Sequence, residues 1–271
     1  MNKLEWLIAF RYLGAQRKSL FVSLIGIFSL LGVSIGVFAL VVALAAVNGF
    51  EEEVTAQMIG KDAHVDVLSY DGEPFGAYEE LISEVKKADS TVVAVAPYLV
   101  YKMGISSRKV NDGVVIYGID PERSKQVVDI HQKIRWGHYS VDSLPDMGGT
   151  LRPGVILGIG LANRLRVVVG DKIVLQTFQS PDAMLASGGP KMMQAVVSGI
   201  FETGMYEYDA NLVYVGIPEM QKLLGIGDKV TGLQIRVKDF WKASETVTKL
   251  SESLSVSYYA LDWKTKNITL L

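Results

Sequence analysis

An uncharged stretch of 28 residues, from Leu20 to Val47, constrains this chain more than any other feature of its sequence. A transmembrane helix needs about 20 such residues, because each adds about 1.5 Å toward a hydrocarbon core about 30 Å thick. A cleavable signal peptide is the alternative, and the segment Ala43-Leu44-Ala45 resembles a cleavage site. However, signal peptides have apolar regions of about 7–15 residues, and 19 residues precede this stretch. We therefore predict an uncleaved transmembrane helix over residues 20–47.

The charges on the two sides of this stretch predict its orientation. Four basic residues and one acidic residue precede it, and three glutamates follow it: Lys3, Glu5, Arg11, Arg17, Lys18, and then Glu51, Glu52 and Glu53. Lysine and arginine are retained on the cytoplasmic side of a membrane. The N-terminus is therefore predicted to be cytoplasmic, with residues from 48 onward outside the cytoplasm. Segment 1–19 is predicted to lie along the inner membrane surface, with a loosely ordered tail as the alternative.

Small residues recur at regular intervals within the stretch. They are spaced by three or four positions: Ser29, Gly32, Gly36, Ala39, Ala43 and Ala46. On a helix this spacing places all six along one face. Small residues let transmembrane helices approach closely. The pattern therefore predicts a face that packs against another helix, rather than a lone anchor with incidental small residues.

The 224 residues after the helix are predicted to fold as a mixed α and β domain. Six segments rich in β-branched and aromatic residues predict strands: AHVDVLSY, TVVAVAPYLV, GVVIYGID, DKIVLQTF, NLVYVG and TGLQIRVKD. In the last, Leu233, Ile235 and Val237 alternate with polar residues, which is typical of a half-buried strand. Three amphipathic segments predict helices: GAYEELISEVKKA, IPEMQKLLG and DFWKASETVTKLSESL. Strand–helix units therefore flank a strand-rich middle over about residues 106–205.

Composition and motifs favour a protein that is not itself an enzyme. The net charge is −2 and there is no cysteine, so nucleic acid is not an expected partner and no disulfide can form. The sequence lacks a G-x-x-x-x-G-K-[ST] phosphate loop, and in LGIGLANRL Asn163 replaces the third glycine of a dinucleotide-binding motif. Its three histidines lack the spacing of a zinc site. We therefore expect no catalytic residue, metal or cofactor, and interpret LGIGLANRL as a strand-to-helix turn.

Segments along almost the whole chain resemble the LolC/LolE family, the permease subunits of the lipoprotein-releasing ABC transporter. They are FRYLGAQRK (10–18), the helix through VNGF (21–50), GVILGIGLANRLRVVVGDKIVLQT (154–177), VSGIFETGMYEYDANLVYV (197–215) and DWKTKN (262–267). The resemblance implies an inner-membrane protein with a periplasmic domain and the α+β fold class. An α/β porter-like lobe (48–105 and 206–265) would be interrupted by a β-rich sabre-like lobe (106–205).

The resemblance also implies a function and partners. The chain would accept acylated lipoproteins in the membrane for transfer to a periplasmic lipoprotein carrier. A separate cytoplasmic ABC ATPase would supply the energy, and a second permease subunit or second copy would complete the membrane core. Val47 and Phe50, at the outer end of the helix, become candidate substrate contacts.

A long link between two predicted strands is a candidate docking loop. Residues 177–193 exceed the two to five residues of a tight hairpin. They carry prolines and apolar side chains that would be costly to hydrate on a projecting loop, and methionine suits a surface with varied partners. The resemblance implies a hook that recruits the carrier, built here by Phe178, Pro181, Met184, Leu185 and Pro190. The alternative is that these residues fold back onto the domain.

Two departures from the family leave other functions open. Family permeases have four transmembrane helices, whereas here 266–271 would only begin the second, so we expect a fragment or one part of a split subunit. A MacB-type exporter component and a membrane-anchored periplasmic scaffold or receptor remain alternatives. A MacB-type chain would carry its own ATPase domain before the first helix, and only 19 residues precede this one.

The predicted orientation can be tested by labelling. A Ser90→Cys variant has a single cysteine, on the predicted periplasmic side of the helix. A membrane-impermeant thiol reagent should label it once the outer membrane is permeabilised. Labelling only after lysis of the inner membrane would show that the orientation is reversed.

Overall fold

The computed structural model describes residues 20–58, 63–108, 110–146, 148–178 and 189–266, together with positions 4, 7, 8 and 11. The chain divides into two compact units, Met1–Gln57 and Met58–Leu271. Each unit is described by itself below.

A single long helix dominates the described part of the first unit. Helix α1 (Leu20–Met58) has 39 residues, and by length and composition its segment Leu24–Gly49 could cross a membrane. The side chains of 24–49 are exposed, as expected for a surface whose solvent is hydrocarbon. The helix continues beyond the predicted end at residue 47. Asn and Gly each cost at most about 1 kcal/mol within a helix, and the Glu, Ala and Gln residues that follow favour helix.

The described part of the second unit is a mixed α and β domain. Its helices are α2 (Tyr78–Ala88), α3 (Pro121–Val127), α4 (Ile159–Leu165), α5 (Tyr206–Asn211), α6 (Ile217–Leu224), α7 (Ala243–Ser253) and α8 (Trp263–Lys266). Its strands are β1 (Val65–Ser69), β2 (Val92–Ser106), β3 (Asn111–Ile119), β4 (Ile134–Gly137), β5 (Ser143–Pro145), β6 (Leu151–Gly158), β7 (Lys172–Thr177), β8 (Met192–Phe201), β9 (Leu212–Gly216), β10 (Gly232–Val237) and β11 (Tyr258–Asp262). Short 3-10 helices span Asp129–Lys133 and Phe240–Lys242. The α+β class predicted from the sequence is confirmed.

One sheet connects these strands in the order β11-β1-β10-β2-β3-β9-β6-β8-β4. Strand β7 pairs with both β2 and β8, and β5 pairs with β6. The β3–β9 and β6–β8 pairs are parallel, and the remaining pairs are antiparallel. Strands β3 and β9 are parallel neighbours although they lie far apart in the sequence. Parallel neighbours require a long crossover connection, which the residues between them provide.

The predicted strand and helix segments are confirmed, but the predicted burial of one strand is wrong. Strand β10 (TGLQIRVKD) was predicted to be half-buried, but Gln234 on its polar face is only 7% exposed. The reason is that the polar face is covered as well, since α3 packs against β10 and Arg236 on this face pairs with Asp129 at 2.9 Å. Alternation along the sequence does not reveal which strand will be covered on both faces.

Three apolar clusters form the core of the domain. A terminal core packs α2 and α7 on β1 and β10 through residues such as Ile82, Ile235 and Leu250. A central core packs α4 and α6 on the middle strands. A third cluster lies on the opposite face of the sheet beneath α3. The central core includes residues on both sides of 106 and 205, and the porter-like and sabre-like lobes remain a prediction.

The first and last described segments of this domain are tied together. The backbone N–H of Trp263, at the start of α8, donates a 3.1 Å hydrogen bond to the carbonyl of His64, just before β1. The backbone N–H of His64 in turn donates to the carbonyl of Ile235 in β10. The segment before β1 and the segment after β11 therefore lie next to each other.

Candidate functional site

Two of the family-like segments meet in space. Strand β6 ends at Gly158 and α4 begins at Ile159, which confirms the predicted strand-to-helix turn. A Cβ atom on Gly158 would lie 2.3 Å from the backbone oxygen of Asp209, and one on Gly160 would lie 3.0 Å from it. The turn needs these glycines because the FETGMYEYD segment lies directly against it.

The Asp209 carboxylate organises the FETGMYEYD segment. Its Oδ1 accepts hydrogen bonds from the backbone N–H of Thr203 (2.7 Å) and from the Thr203 hydroxyl (2.9 Å). Its Oδ2 accepts from the backbone N–H of Gly204 at 3.0 Å. Gly204 has a φ of +81°, which glycine adopts without strain. The buried carboxylate thus holds the connection between β8 and α5 in one conformation.

A basic residue of α4 fixes α5 from the other side. The guanidinium of Arg164 donates to the carbonyl of Ala210 at 2.7 Å and forms an ion pair with Asp112 of β3, also at 2.7 Å. Together with the glycine contacts, this joins α4, α5 and β3. We call residues 158–165 and 202–211 the platform.

The platform presents polar and aromatic side chains outward. Tyr206 is 75% exposed, and its neighbour Glu207 is also exposed. Helix α5 forms one wall of a cavity of about 500 Å³ over the middle strands. Its lining includes Lys102, Tyr117, Phe178, Glu207, Tyr208 and Lys266.

Aromatic rings make the floor of this cavity. Tyr117 of β3 lies between Tyr98 and Tyr214, with ring centroids 6.0 and 5.8 Å away. Phe201 contacts Tyr214 edge-on at 5.6 Å. Tyr117 and Tyr214 in the lining can hold an apolar or amphipathic group by ring contacts. Lys102 can attract an anion, whereas Lys266 pairs with Asp66 at 2.7 Å. No cluster of His, Asp or Glu that could hold a metal ion occurs among the described residues.

The predicted helix-packing residues all lie on α1 in exposed positions. A Cβ atom on Gly32 or on Gly36 would meet nothing within 4 Å, so the space next to each glycine is open. Val47 is exposed as well, whereas the side chain of Phe50 is outside the described part. Packing at this face stays a prediction.

The predicted docking loop is described only at its two ends. Phe178, just after β7, is exposed and lines the cavity beside the platform. Pro190 is half-buried just before β8. Pro181, Met184 and Leu185 lie outside the described residues. The docking role of the loop stays a prediction.

Sequence reasoning missed the platform. The segments that build it were recognised as distinctive, but only as separate pieces of a family pattern. The signal that could have paired them is a cluster of glycines at a turn, together with an aspartate that follows a Thr-Gly pair. Neither the glycines nor the aspartate specify in the sequence which distant segment they contact.

Comparison with known proteins decides the family. The family model of the MacB-like periplasmic core domain matches residues 27–253. The chain belongs to this family. Its curated relatives include LolC of Xylella fastidiosa, which is 31% identical over 99% of this chain and 62% of the relative. LolC of Neisseria meningitidis is 30% identical over 98% of the chain and 62% of the relative. LolE of Haemophilus influenzae is 23% identical over 96% and 61%.

These relatives confirm the resemblance inferred from the sequence. They are named lipoprotein-releasing system transmembrane proteins, and the chain spans about three-fifths of their length. Among solved structures, the periplasmic region of MacB from Actinobacillus actinomycetemcomitans has a TM-score of 0.47 at 10% identity, over 79% of this chain and 95% of that one. The extracellular domain of the ABC-type transporter YknZ has a TM-score of 0.46 at 13% identity, over 73% and 99%.

The close contact at Gly158 can be tested against a matched glycine. Gly158→Ala should destabilise the domain by about 1–3 kcal/mol, because the new methyl group collides with a backbone oxygen that cannot rotate away. Gly113→Ala, in β3 where a Cβ meets nothing within 4 Å, should change stability by less than about 0.5 kcal/mol. Denaturant unfolding of the full chain in detergent measures both values. Equal stability of the two variants would contradict the proposed contact.

Proposed function

We propose that the chain is a membrane subunit of an ABC transporter that releases lipoproteins from the inner membrane. One observation carries this proposal: relatives named as transmembrane proteins of lipoprotein-releasing systems match 98–99% of the chain at 30–31% identity. The similarity includes both the apolar helix and the domain that follows it. The released lipoprotein would pass to a periplasmic carrier.

The energy would come from a separate subunit. The sequence contains no G-x-x-x-x-G-K-[ST] phosphate loop, which such nucleotide sites need to cradle phosphates. A cytoplasmic ABC ATPase is therefore the proposed partner that hydrolyses ATP. The basic residues before the helix support a cytoplasmic N-terminus and a periplasmic location for residues from 48 onward.

The small-residue face of α1 is the proposed contact with the rest of the membrane core. Because lipid is as apolar as the side chains it solvates, close backbone approach is what favours association between helices. Gly32 and Gly36 are exposed on α1 and leave room for such an approach. The partner helix would belong to a second permease subunit or second copy. Val47 and Phe50, near the outer end, would contact the acylated substrate.

The loop that begins at Phe178 is the proposed docking site for the carrier. Phe178 is exposed beside the platform cavity, and Met184 and Leu185 add apolar side chains farther along the loop. Exposed apolar side chains are costly to hydrate and commonly mark protein interaction sites. Pro181 and Pro190 would prevent the flanking strands from continuing their pairing into the loop.

A MacB-type exporter component is a second candidate, because the matching family model is that of the MacB-like periplasmic core domain. The two functions differ in substrate and in partner. The lipoprotein function requires an acylated protein and a periplasmic carrier, whereas an exporter component would act on soluble drugs or peptides. Partner recovery and substrate identity therefore distinguish them.

A substitution within the small-residue face tests the membrane assembly. Gly36→Leu should insert into the membrane normally, since leucine is at least as apolar, but should block close helix approach. We expect at least a tenfold loss of the partner permease and ATPase that co-purify from the native host, together with loss of lipoprotein release. Val37→Leu, one position away on another face, is the matched control. Equal recovery with both variants would show that the face does not mediate assembly.

A further inference from the structure

Three side chains form a compact aromatic and basic surface beside the place where the chain enters the sheet. Trp241, in the 3-10 helix Phe240–Lys242, is 59% exposed, and Lys242 and Lys264 are exposed next to it. The Lys264 ammonium lies 5.9 Å from the ring centroid of Trp241 and 5.5 Å from that of Trp263. These distances are within cation–π range. We call Trp241, Lys242 and Lys264 the indole–lysine patch.

The patch rests on a fixed base. The Trp263 ring stacks on Phe240 with centroids 4.3 Å apart, and its Nε1–H donates to the Phe240 carbonyl at 3.2 Å. The Asp239 carboxylate accepts the backbone N–H of Trp241 at 3.0 Å. Buried aromatic packing and a capped helical turn therefore hold Trp241 in its exposed position.

The polar groups of the patch are available for an external partner. None of the residues that the structure describes accepts a hydrogen bond from the indole of Trp241. Within the same described part, no carboxylate forms an ion pair with Lys242 or Lys264. An exposed indole and two ammonium groups together suit a partner that has an anionic outer layer over an apolar layer.

The titratable groups next to the patch are Asp239, which is exposed, and Asp262 and His64, which are buried. Burial raises the pKa of Asp262, but hydrogen bonds from Ser244 and Thr265 and the charge of Lys264 outweigh it and lower the pKa. This carboxylate is buried. The surface of the patch therefore carries two lysines and the exposed Asp239 carboxylate, which leaves one net positive charge. Burial and the charge of Arg236 lower the pKa of His64 to about 4, which leaves that imidazole neutral at neutral pH.

The position of the patch in the chain indicates which surface it meets. The His64 ring contacts Phe240 edge-on at 5.0 Å, and the backbone carbonyl of His64 accepts a hydrogen bond from the backbone N–H of Trp263. Residues 50–62 join Gly49, the end of the candidate span, to Ala63 at the start of the described domain. The base of the patch therefore contacts the first residues of the domain after this connection.

We propose that the indole–lysine patch binds the anionic phospholipid headgroups of the membrane that α1 enters. Indole rings prefer the headgroup region, and each lysine near an anionic membrane surface adds electrostatic attraction. The contact would orient the domain over the lipid surface. It depends on membrane insertion of α1 and not on lipoprotein release, so failure of the proposed transport function would leave it intact.

Fluorine NMR of the full chain in lipid nanodiscs tests the contact. The four tryptophans are replaced by 5-fluorotryptophan, and the signals of Trp241 and Trp136 are assigned with Trp→Phe variants. Trp136 is the internal control, because it is 53% exposed on β4 at the opposite edge of the sheet. Nitroxide-headgroup phosphatidylcholine in discs of phosphatidylcholine and phosphatidylglycerol should broaden Trp241 at least threefold more than Trp136. Equal broadening of the two signals would overturn the proposal.

A second arm tests the charge requirement. The broadening of Trp241 should fall at least twofold in discs without phosphatidylglycerol, and likewise in a Lys242→Gln, Lys264→Gln variant. A Lys86→Gln, Lys87→Gln variant, which removes two exposed lysines from the end of α2, should behave as the unsubstituted chain does. If neither the lipid change nor the patch variant reduced the broadening, binding to anionic headgroups would be disproved.

Discussion

The long strand β2 is the element on which the rest of the domain depends. Its 15 residues pair with β10, β3 and β7, and they contribute to all three cores. Val95 packs in the terminal core, whereas Leu99 and Met103 pack in the central core. Because one continuous backbone joins these cores, the platform and the indole–lysine patch are attached to one framework.

Lipid imposes a different constraint on α1. The apolar side chains of its candidate span are exposed, and water would make that surface very costly. A bilayer removes the cost without selecting any partner, since lipid tails and apolar side chains are chemically alike. Only shape can then favour a second helix, which is why the small residues around Gly36 support the proposed assembly. The domain faces the opposite situation, in water, where burial of apolar surface drives its packing.

The sequence predicted the local elements well and the long-range contacts poorly. Periodicity located α1, α2, α6 and α7 and six of the strands, because each depends on neighbouring residues. It predicted the burial of Gln234 wrongly, and it did not show that α1 continues to Met58 beyond the predicted span, since both depend on context beyond the pattern. The contact of Gly158 with Asp209 joins residues about 50 positions apart. Neither that contact nor the packing around Trp263 has any local signal, so only the structure shows them.

The central proposal is that this chain works in the transfer of acylated lipoproteins to a carrier, and release from proteoliposomes tests it most directly. The chain is reconstituted with its partner subunits and a lipoprotein, and the lipoprotein in the soluble fraction is measured. Release should require both ATP and the carrier. A Met184→Asp, Leu185→Asp variant should hydrolyse ATP normally but release little lipoprotein. If the unsubstituted complex hydrolysed ATP and left the lipoprotein in the membrane with carrier present, the account would be contradicted.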